Sequence, residues 1–219
     1  MSNTPAPIPP HLEASIRERS IAKYATRAAA YDRTTRLTAG IRVRTIAQLE
    51  LRAGESVLDV GCGTGLSLAL LREQVGGQGQ VYGCDQSPHM LEQAIARVAQ
   101  AGWDNVRLFE TPAHALQLPQ PVDALLFHYA HDILRSRTAL DVLLAQARPG
   151  ARVAVAGIKY FPAWLGPLNL WVYWKNLGYN GSPGELRSPW DRLAPRLQGW
   201  TLTPTQWGMG YIGVGRVPA

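Results

Sequence analysis

The chain has 219 residues, 46% of them hydrophobic and 17% charged, which is enough to bury the core of one α/β domain. Its formal net charge is +6, and residues 1–52 hold nine Lys or Arg against four acids, so the basic excess is almost entirely N-terminal. Two cysteines and five scattered histidines cannot form a zinc quartet, and no uncharged apolar run is long enough to predict a membrane span. We predict no metal, two reduced thiols at Cys62 and Cys84, and a cytoplasmic (cytosolic) protein.

The first 52 residues predict a tail followed by two helices. Residues 1–11 are rich in proline and predict a disordered tail, and the helices are predicted at 13–31 and 34–51. Such a basic segment contacts anionic lipid or nucleic acid, or it forms a solvated helix face. Its basic residues include Arg17, Arg19, Lys23 and Arg27 on the first helix and Arg42 and Arg44 on the second.

The segment 57–66, VLDVGCGTGL, is the most informative motif. An apolar strand that carries Asp59 is followed by Gly61, Gly63 and Gly65 and then by a helix-forming run. Glycines permit positive φ and close approach of a ligand to the backbone, and a helix N-terminus favours an anionic group. The G-x-G-x-G spacing differs from the dinucleotide fingerprint, and Asp59 would repel a pyrophosphate. The same carboxylate can orient the ammonium group of S-adenosylmethionine (SAM), so the motif favours SAM over NAD.

A second acid stands at the end of the next predicted strand. The strand covers 79–84, Asp85 follows it, and a helix is predicted at 88–101. In a doubly wound sheet this position lies beside the glycine loop, where a carboxylate can accept two hydrogen bonds from ribose hydroxyls. The alternative is that Asp85 only begins the helix, with Ser87 as its cap and Pro88 in its first turn.

Further strands are predicted at 105–110, 122–127 and 152–158, with a helix over 134–148. The loop 128–132, HYAHD, follows the fourth strand at the edge where open α/β sheets bind ligands. Residues 160–198 are rich in aromatic side chains, which predicts a lid over an apolar or cationic acceptor or, alternatively, a core helix. Strands at 200–207 and 210–217 predict a terminal hairpin.

These motifs together resemble the class I SAM-dependent methyltransferases, over about residues 24–217. VLDVGCGTG at 57–65, GCDQSPHML at 83–91 and ARPGARVAVAG at 147–157 carry the resemblance. It implies an α/β fold: a single Rossmann-like doubly wound sheet of seven strands, mostly parallel with an antiparallel C-terminal strand, and helices on both faces. The implied organisation is a tail at 1–11 and a methyltransferase domain at 12–219, with cap helices at 12–52 and an aromatic lid insertion at 160–198.

The resemblance also implies the cofactor and its contacts. SAM is the implied methyl donor and S-adenosylhomocysteine (SAH) the product. His114 occupies the position of an adenine-binding aspartate, where a neutral imidazole can accept a hydrogen bond, and a solvent-facing loop histidine is the alternative. Tyr24 lies in a segment similar to the cap helix of quinone and lipid methyltransferases. The predicted cofactor-binding residues are Tyr24, Asp59, Gly61, Cys62, Gly63, Gly65, Asp85, Gln86, Met90, Ala113, His114, Ala115, Phe127 and Tyr129.

The predicted function is transfer of a methyl group from SAM to a small or lipophilic acceptor by in-line displacement, which needs positioning and exclusion of water. His128 and His131 are the predicted catalytic bases if the acceptor is a hydroxyl or ammonium group, and packing roles are the alternative. A nucleic-acid partner is not expected, because FHYA at 127–130 stands where nucleic-acid methyltransferases of this family carry an N/D-P-P-Y tetrapeptide.

Other possibilities stay open from the sequence. They are a catalytically silent SAM-binding protein and a methyltransferase acting on nucleic acid or protein, whereas Asp59 disfavours an NAD-dependent dehydrogenase. The basic N-terminal helices allow peripheral membrane contact.

Overall fold

A seven-stranded sheet organises the chain. The computed structural model describes residues 38–161, 166, 168–170 and 186–219. The strands are β1 (Ser56–Val60), β2 (Gln80–Asp85), β3 (Val106–Glu110), β4 (Val122–His128), β5 (Ala147–Ile158), β6 (Gln198–Thr205) and β7 (Gly210–Arg216). Their order is β3-β2-β1-β4-β5-β7-β6, and β7 is antiparallel to both of its neighbours while the other pairs are parallel. The predicted sheet, with its antiparallel C-terminal strand, is confirmed.

Helices cover both faces of the sheet, as predicted. They are α1 (Ala39–Ala47), α2 (Leu68–Val75), α3 (Pro88–Ala101), α4 (His131–Arg135) and α5 (Arg137–Ala145). Side chains of β1 alternate between the two layers: Val57 packs in one core cluster with Leu71 of α2, and Leu58 packs in the other with Leu140 of α5. This alternation is the period of two that an extended strand imposes, and burial on both faces explains why the strand is apolar almost throughout.

The helix predicted over 134–148 is wrong in its bounds. The chain forms two short helices instead, because Ser136 adopts an extended conformation and its side chain accepts a hydrogen bond from the amide of Ala139 at 3.2 Å. This cap ends α4 and begins α5, although the apolar pattern continues across it. β5 also begins earlier than predicted, at Ala147, which pairs with Val122 of β4.

Several predictions concern residues that lie outside the described ranges. The tail 1–11, the helix predicted at 13–31 and Tyr24 lie outside the described residues, as do Trp164, Trp171, Tyr173 and Trp174 of the aromatic segment. α1 occupies the middle of the second predicted cap helix. Over the described ranges, no helix is both long and apolar enough to cross a bilayer. The domain bounds and the lid therefore stay predictions.

The strand order determines where ligands can bind. β1 pairs with β2 on one side and with β4 on the other. The chain therefore extends the sheet first to one side of β1, through β2 and β3, and then to the other side, beginning with β4. The last residue of β1, Val60, pairs with Cys84 of β2 and with Phe127 of β4, which brings three carboxyl ends to one edge. Open α/β sheets bind ligands in the crevice outside such a switch point.

Candidate cofactor and acceptor site

The three glycines after β1 have different tasks. All three adopt positive φ, at 68° for Gly61, 55° for Gly63 and 79° for Gly65. A Cβ atom at Gly65 would lie 2.8 Å from Leu68 Cδ1 and 3.1 Å from Ala94 Cβ, so this glycine lets α3 approach the loop. At Gly63, by contrast, no atom of the described residues lies within 4 Å of the Cβ position. The loop therefore packs tightly on one side and is open to a ligand on the other.

Gly65→Ala is expected to destabilise the fold by about 2–5 kcal/mol, because it combines a left-handed backbone conformation with overpacking. Gly63→Ala is the matched control: its φ is also positive, but there is space for a methyl group. It should lose only about 1–2 kcal/mol of stability. Urea unfolding of both variants measures the difference, and equal free energies of unfolding would contradict the packing role of Gly65.

Asp85, at the end of β2, joins the glycine loop to the start of α3. Its Oδ2 accepts a hydrogen bond from the amide of Gly63 at 2.9 Å, and its Oδ1 accepts one from the amide of Ser87 at 2.8 Å. Burial raises the pKa of this carboxyl, while the amides of Ser87, Gly63 and Gln86 act in the opposite direction. Each carboxylate oxygen keeps capacity for another donor, so the bond to Ser87 leaves room for a ribose contact.

Asp59 is the second acid at this edge, and it is buried in the sheet with a relative exposure of 1%. Burial raises its pKa to about 7; the positive charge of Arg42 lowers it, the charge of Asp85 raises it, and a hydrogen bond from Ser67 lowers it. Among the described residues, its Oδ2 has no hydrogen-bond partner. A ligand ammonium group would supply both the missing donor and the missing positive charge.

Arg42 is a site residue that the sequence analysis did not single out. The sequence placed it with Arg44 on a basic helix face, but Arg42 is buried at 8% exposure while Arg44 is exposed. Its positive charge lowers the pKa of both Asp59 and His128, so it acts on two groups of this edge. The signal was present in the helical period, because Ile46, four residues later on α1, is a core residue.

His128 is the last residue of β4 and lies at the same carboxyl edge of the sheet. Burial lowers its pKa to about 3, and the charge of Arg42 lowers it further in the same direction. Its Nε2 is buried and makes no hydrogen bond within the described part of the chain. The imidazole is therefore neutral at physiological pH, which is the state of a proton acceptor, although a pKa far below 7 makes it a weak base.

The loop after β4 is strained and contacts the cofactor loop. Tyr129 has a φ of 61°, which is rare for a residue with a side chain, and its amide donates to the carbonyl of Ala156 at 2.8 Å. A Cβ atom at Gly61 would lie 3.2 Å from Ile133 Cδ1 and 3.4 Å from Ala130 Cβ. The loop carrying the two candidate bases is thus packed directly on the first glycine.

His131, the second candidate base, begins α4. Its Nε2 accepts a hydrogen bond from the amide of Ile158 at 3.3 Å. Burial lowers its pKa to about 4, and the charge of Arg135 lowers it too. The neutral ring therefore uses its Nε2 lone pair for the backbone of β5, and its remaining hydrogen is on Nδ1. This geometry favours a donor role over a base role.

The other predicted cofactor-binding residues differ in burial. His114 is exposed in a 3₁₀ turn at Ala113–Ala115, of which Ala113 is the buried member. Phe127 and Met90 are buried in the sheet and α3, and Gln86 is half-buried between β2 and α3. The structure thus brings Asp59, Asp85 and the three glycines together at one edge, and His114 stands on the neighbouring turn after β3.

The two cysteines are buried and free. The amide of Cys62 donates to the carbonyl of Cys84 at 3.0 Å, so they lie on adjacent elements. Burial raises the pKa of Cys84 to about 12 and that of Cys62 well above its ordinary value, so both are protonated thiols of low reactivity. In the ranges that the structure describes, no group of three His, Cys, Asp or Glu side chains could hold a metal ion.

The strand order, the glycine loop after β1 and the acids of β1 and β2 define a Rossmann-like α/β domain. Residues 57–150 match the family model described as a methyltransferase domain. The resemblance predicted from the sequence is confirmed over these residues, while methyltransferase activity and SAM as the cofactor stay predictions for the whole protein.

Comparison with known proteins shows how far the similarity extends. The chain is 35% identical over 118 residues to demethylmenaquinone methyltransferase of Shouchella clausii, which covers 51% of this chain and 48% of the relative. It is 32% identical over 141 residues to trans-aconitate 2-methyltransferase of Pseudomonas paraeruginosa, with 62% and 46% covered. The chain spans about half the length of these curated relatives.

A crystal structure of a SAM-dependent methyltransferase from Aquifex aeolicus has the same fold. It superposes with a TM-score of 0.66 at 22% identity, over 88% of this chain and 98% of that chain. This similarity shows the arrangement of the sheet and its helices, and a shared fold does not define the acceptor.

Proposed function

We propose that this protein transfers the methyl group of SAM to a small organic acceptor. The observation that carries the proposal is the pair of acids at the ends of β1 and β2: Asp85 accepts a hydrogen bond from the amide of Gly63 at 2.9 Å, and Asp59 has a buried oxygen without a hydrogen-bond partner in the described residues. An acid for an ammonium group and an acid for a ribose, on neighbouring strand ends, match the two polar ends of a nucleoside that carries an amino acid.

Each side chain at the edge has a proposed task toward SAM. Asp59 binds the ammonium group, and Arg42 binds the carboxylate, because a guanidinium matches carboxylate geometry. Asp85 binds the ribose hydroxyls, and Gly63 lets the ligand approach the backbone. His114 accepts a hydrogen bond from the adenine amine. Bound SAM supplies the electrophilic methyl group, and the chain holds both reactants in line and excludes water.

The acceptor is proposed to be a small or lipid-like molecule rather than a nucleic acid or protein. The names of the relatives support this, since demethylmenaquinone and trans-aconitate are small molecules. Peripheral membrane contact through the basic N-terminal segment, and a cytosolic location, also stay predictions. The two protonated, free cysteines are in keeping with a reducing compartment.

His128→Ala is expected to lower turnover at least tenfold if the acceptor loses a proton to this side chain, with SAH affinity changed by no more than about threefold. Because its pKa is about 3, His128 should contribute no inflexion to the pH profile of turnover between about pH 5 and 8. Steady-state kinetics across this range, with SAH calorimetry, measures both. Equal turnover in variant and wild type would remove His128 from the proposal.

The test of the function is transfer of label from methyl-labelled SAM by the pure protein into a cell extract, which is then separated into lipid, small-molecule, protein and nucleic-acid fractions. We expect label in the lipid or small-molecule fraction, lost in Asp85→Asn and kept in Glu110→Gln. Label in protein or nucleic acid would overturn the acceptor class. Intact SAH binding with no transfer to any fraction would favour the silent SAM-binding protein.

A further inference from the structure

Two polar side chains from distant parts of the chain, the half-buried His131 and the buried Tyr211, lie next to Gly157. This glycine of β5 pairs with Tyr211 of β7. A Cβ atom at Gly157 would lie 2.6 Å from His131 Cε1, 3.0 Å from His131 Nε2 and 2.9 Å from Tyr211 Oη. The missing side chain therefore creates the space that the imidazole and the phenol share.

The donor of His131 is its other ring nitrogen. Its Nε2 accepts the amide of Ile158, so the neutral ring carries its hydrogen on Nδ1. That Nδ1 atom is buried, and among the described residues it has no hydrogen-bond partner. Buried donors without partners are rare in native proteins, since each costs about 1–3 kcal/mol, and a ligand atom is one physical explanation.

Tyr211 presents a second donor. The residue is fully buried, its ring packs edge-on against Trp190 with centroids 4.7 Å apart, and its hydroxyl makes no hydrogen bond to any described residue. Burial raises the pKa of the phenol far above its ordinary value, and neighbouring Tyr129 adds to this. The hydroxyl therefore keeps its proton and is available as a donor.

The pair lies next to the proposed site of methyl transfer. His131 is two residues beyond Tyr129, and their rings are 6.3 Å apart. The same loop contacts the cofactor loop, because Ile133 and Ala130 lie against Gly61. An acceptor whose oxygen reached His131 and Tyr211 would thus lie beside the carboxyl ends of β4 and β5, on the edge where the cofactor is proposed to bind.

The chemistry of the two groups selects the ligand. Both are neutral donors, and the charged group that acts on the His131 pKa is Arg135, a cation. A cationic amine would find an acceptor only in the Tyr211 hydroxyl oxygen, would leave the His131 N–H unsatisfied and would meet an unfavourable charge, whereas an oxygen that bears negative charge would satisfy both donors. We propose that His131 and Tyr211 bind an oxygen of the methyl acceptor, which assigns the acceptor to phenols, enols or carboxylates. This inference rests on the proposed function.

The test uses SAH-saturated protein and three probes of similar size: 2-naphthol, 2-naphthoate and 2-(aminomethyl)naphthalene. We expect at least one oxygen probe to bind to the wild type at least tenfold more tightly than the amine. Tyr211→Phe should weaken that probe about tenfold, because it removes one hydrogen bond, and should leave SAH affinity unchanged. Preference for 2-naphthol indicates a phenol or enol, and preference for 2-naphthoate indicates a carboxylate.

Tyr82→Phe is the matched control, since Tyr82 is a buried tyrosine of β2 away from this pair. It should leave probe affinity unchanged. The melting temperature of unliganded Tyr211→Phe should not fall, because the lost hydroxyl has no partner among the described residues; a merely structural hydroxyl would lower it. Unchanged probe affinity in Tyr211→Phe, equal binding of the amine, or no binding of either oxygen probe overturns the inference. If the wild-type protein does not bind SAH, the proposed function is overturned instead.

Discussion

Asp85→Asn is expected to weaken SAH binding by about 100-fold or more while the sheet stays folded. The carboxylate accepts the amides of Gly63 and Ser87 through different oxygens, and an asparagine side chain can satisfy only one of them. The other amide would face an NH₂ group, and a hydrogen bond to a charged group is worth about 1.5–3 kcal/mol. The glycine loop and the proposed ribose contact are therefore lost together.

Glu110→Gln is the control for this variant. Glu110 pairs with Asp85 at the end of the neighbouring strand, but it is exposed. Calorimetry with SAH and urea unfolding should show the large loss of affinity in Asp85→Asn alone. An affinity within threefold of the wild type would remove Asp85 from the site, and a loss in both variants would indicate a general effect of negative charge at this edge.

Asp59→Asn is expected to change stability and cofactor affinity in opposite directions. Burial raises the pKa of Asp59 from 3.8 to about 7, so the folded protein binds a proton there more tightly than the unfolded chain does. The ionised carboxylate is therefore unfavourable to folding, and stability falls as pH rises from about 4 to 7. Removing the charge should raise the free energy of unfolding above pH 7 by up to about 4 kcal/mol.

Cofactor affinity should follow the ionised form of Asp59. If the carboxylate binds the ammonium group, SAH affinity of the wild type falls about tenfold per pH unit below pH 7 and is constant above it. His128 and His131, with pKa values of about 3 and 4, stay neutral over this range and cannot cause the change. Asp59→Asn should bind SAH weakly and without this pH dependence.

Urea unfolding and SAH calorimetry at about pH 5.5 and 8 measure both effects, with Asp104→Asn as the control at an exposed acid. If Asp59→Asn is more stable than the wild type at pH 8 and binds SAH poorly, the carboxylate binds the ligand and destabilises the unliganded fold. A loss of stability at pH 8 would indicate instead that Asp59 holds the apo fold together.

Local patterns determined much of the fold from the sequence alone. The glycine spacing at 57–66 and the acids after two strands predicted the edge that carries the acids, and the family resemblance of these motifs implied the seven-stranded sheet with its antiparallel last strand. These features are local, because positive φ, strand period and helix caps depend on a few adjacent residues. The helix over 134–148 was wrong because one capping serine outweighed a longer apolar pattern.

Only the tertiary structure decided which polar groups are buried and which ones meet. Arg42 looked like a member of a basic surface, but in the folded chain it is buried and its charge acts on Asp59 and His128. Tyr211 and His131 are 80 positions apart in sequence and become neighbours because β7 pairs with β5 opposite a glycine. Desolvation and charge at such contacts depend on distance in space, which sequence separation does not encode.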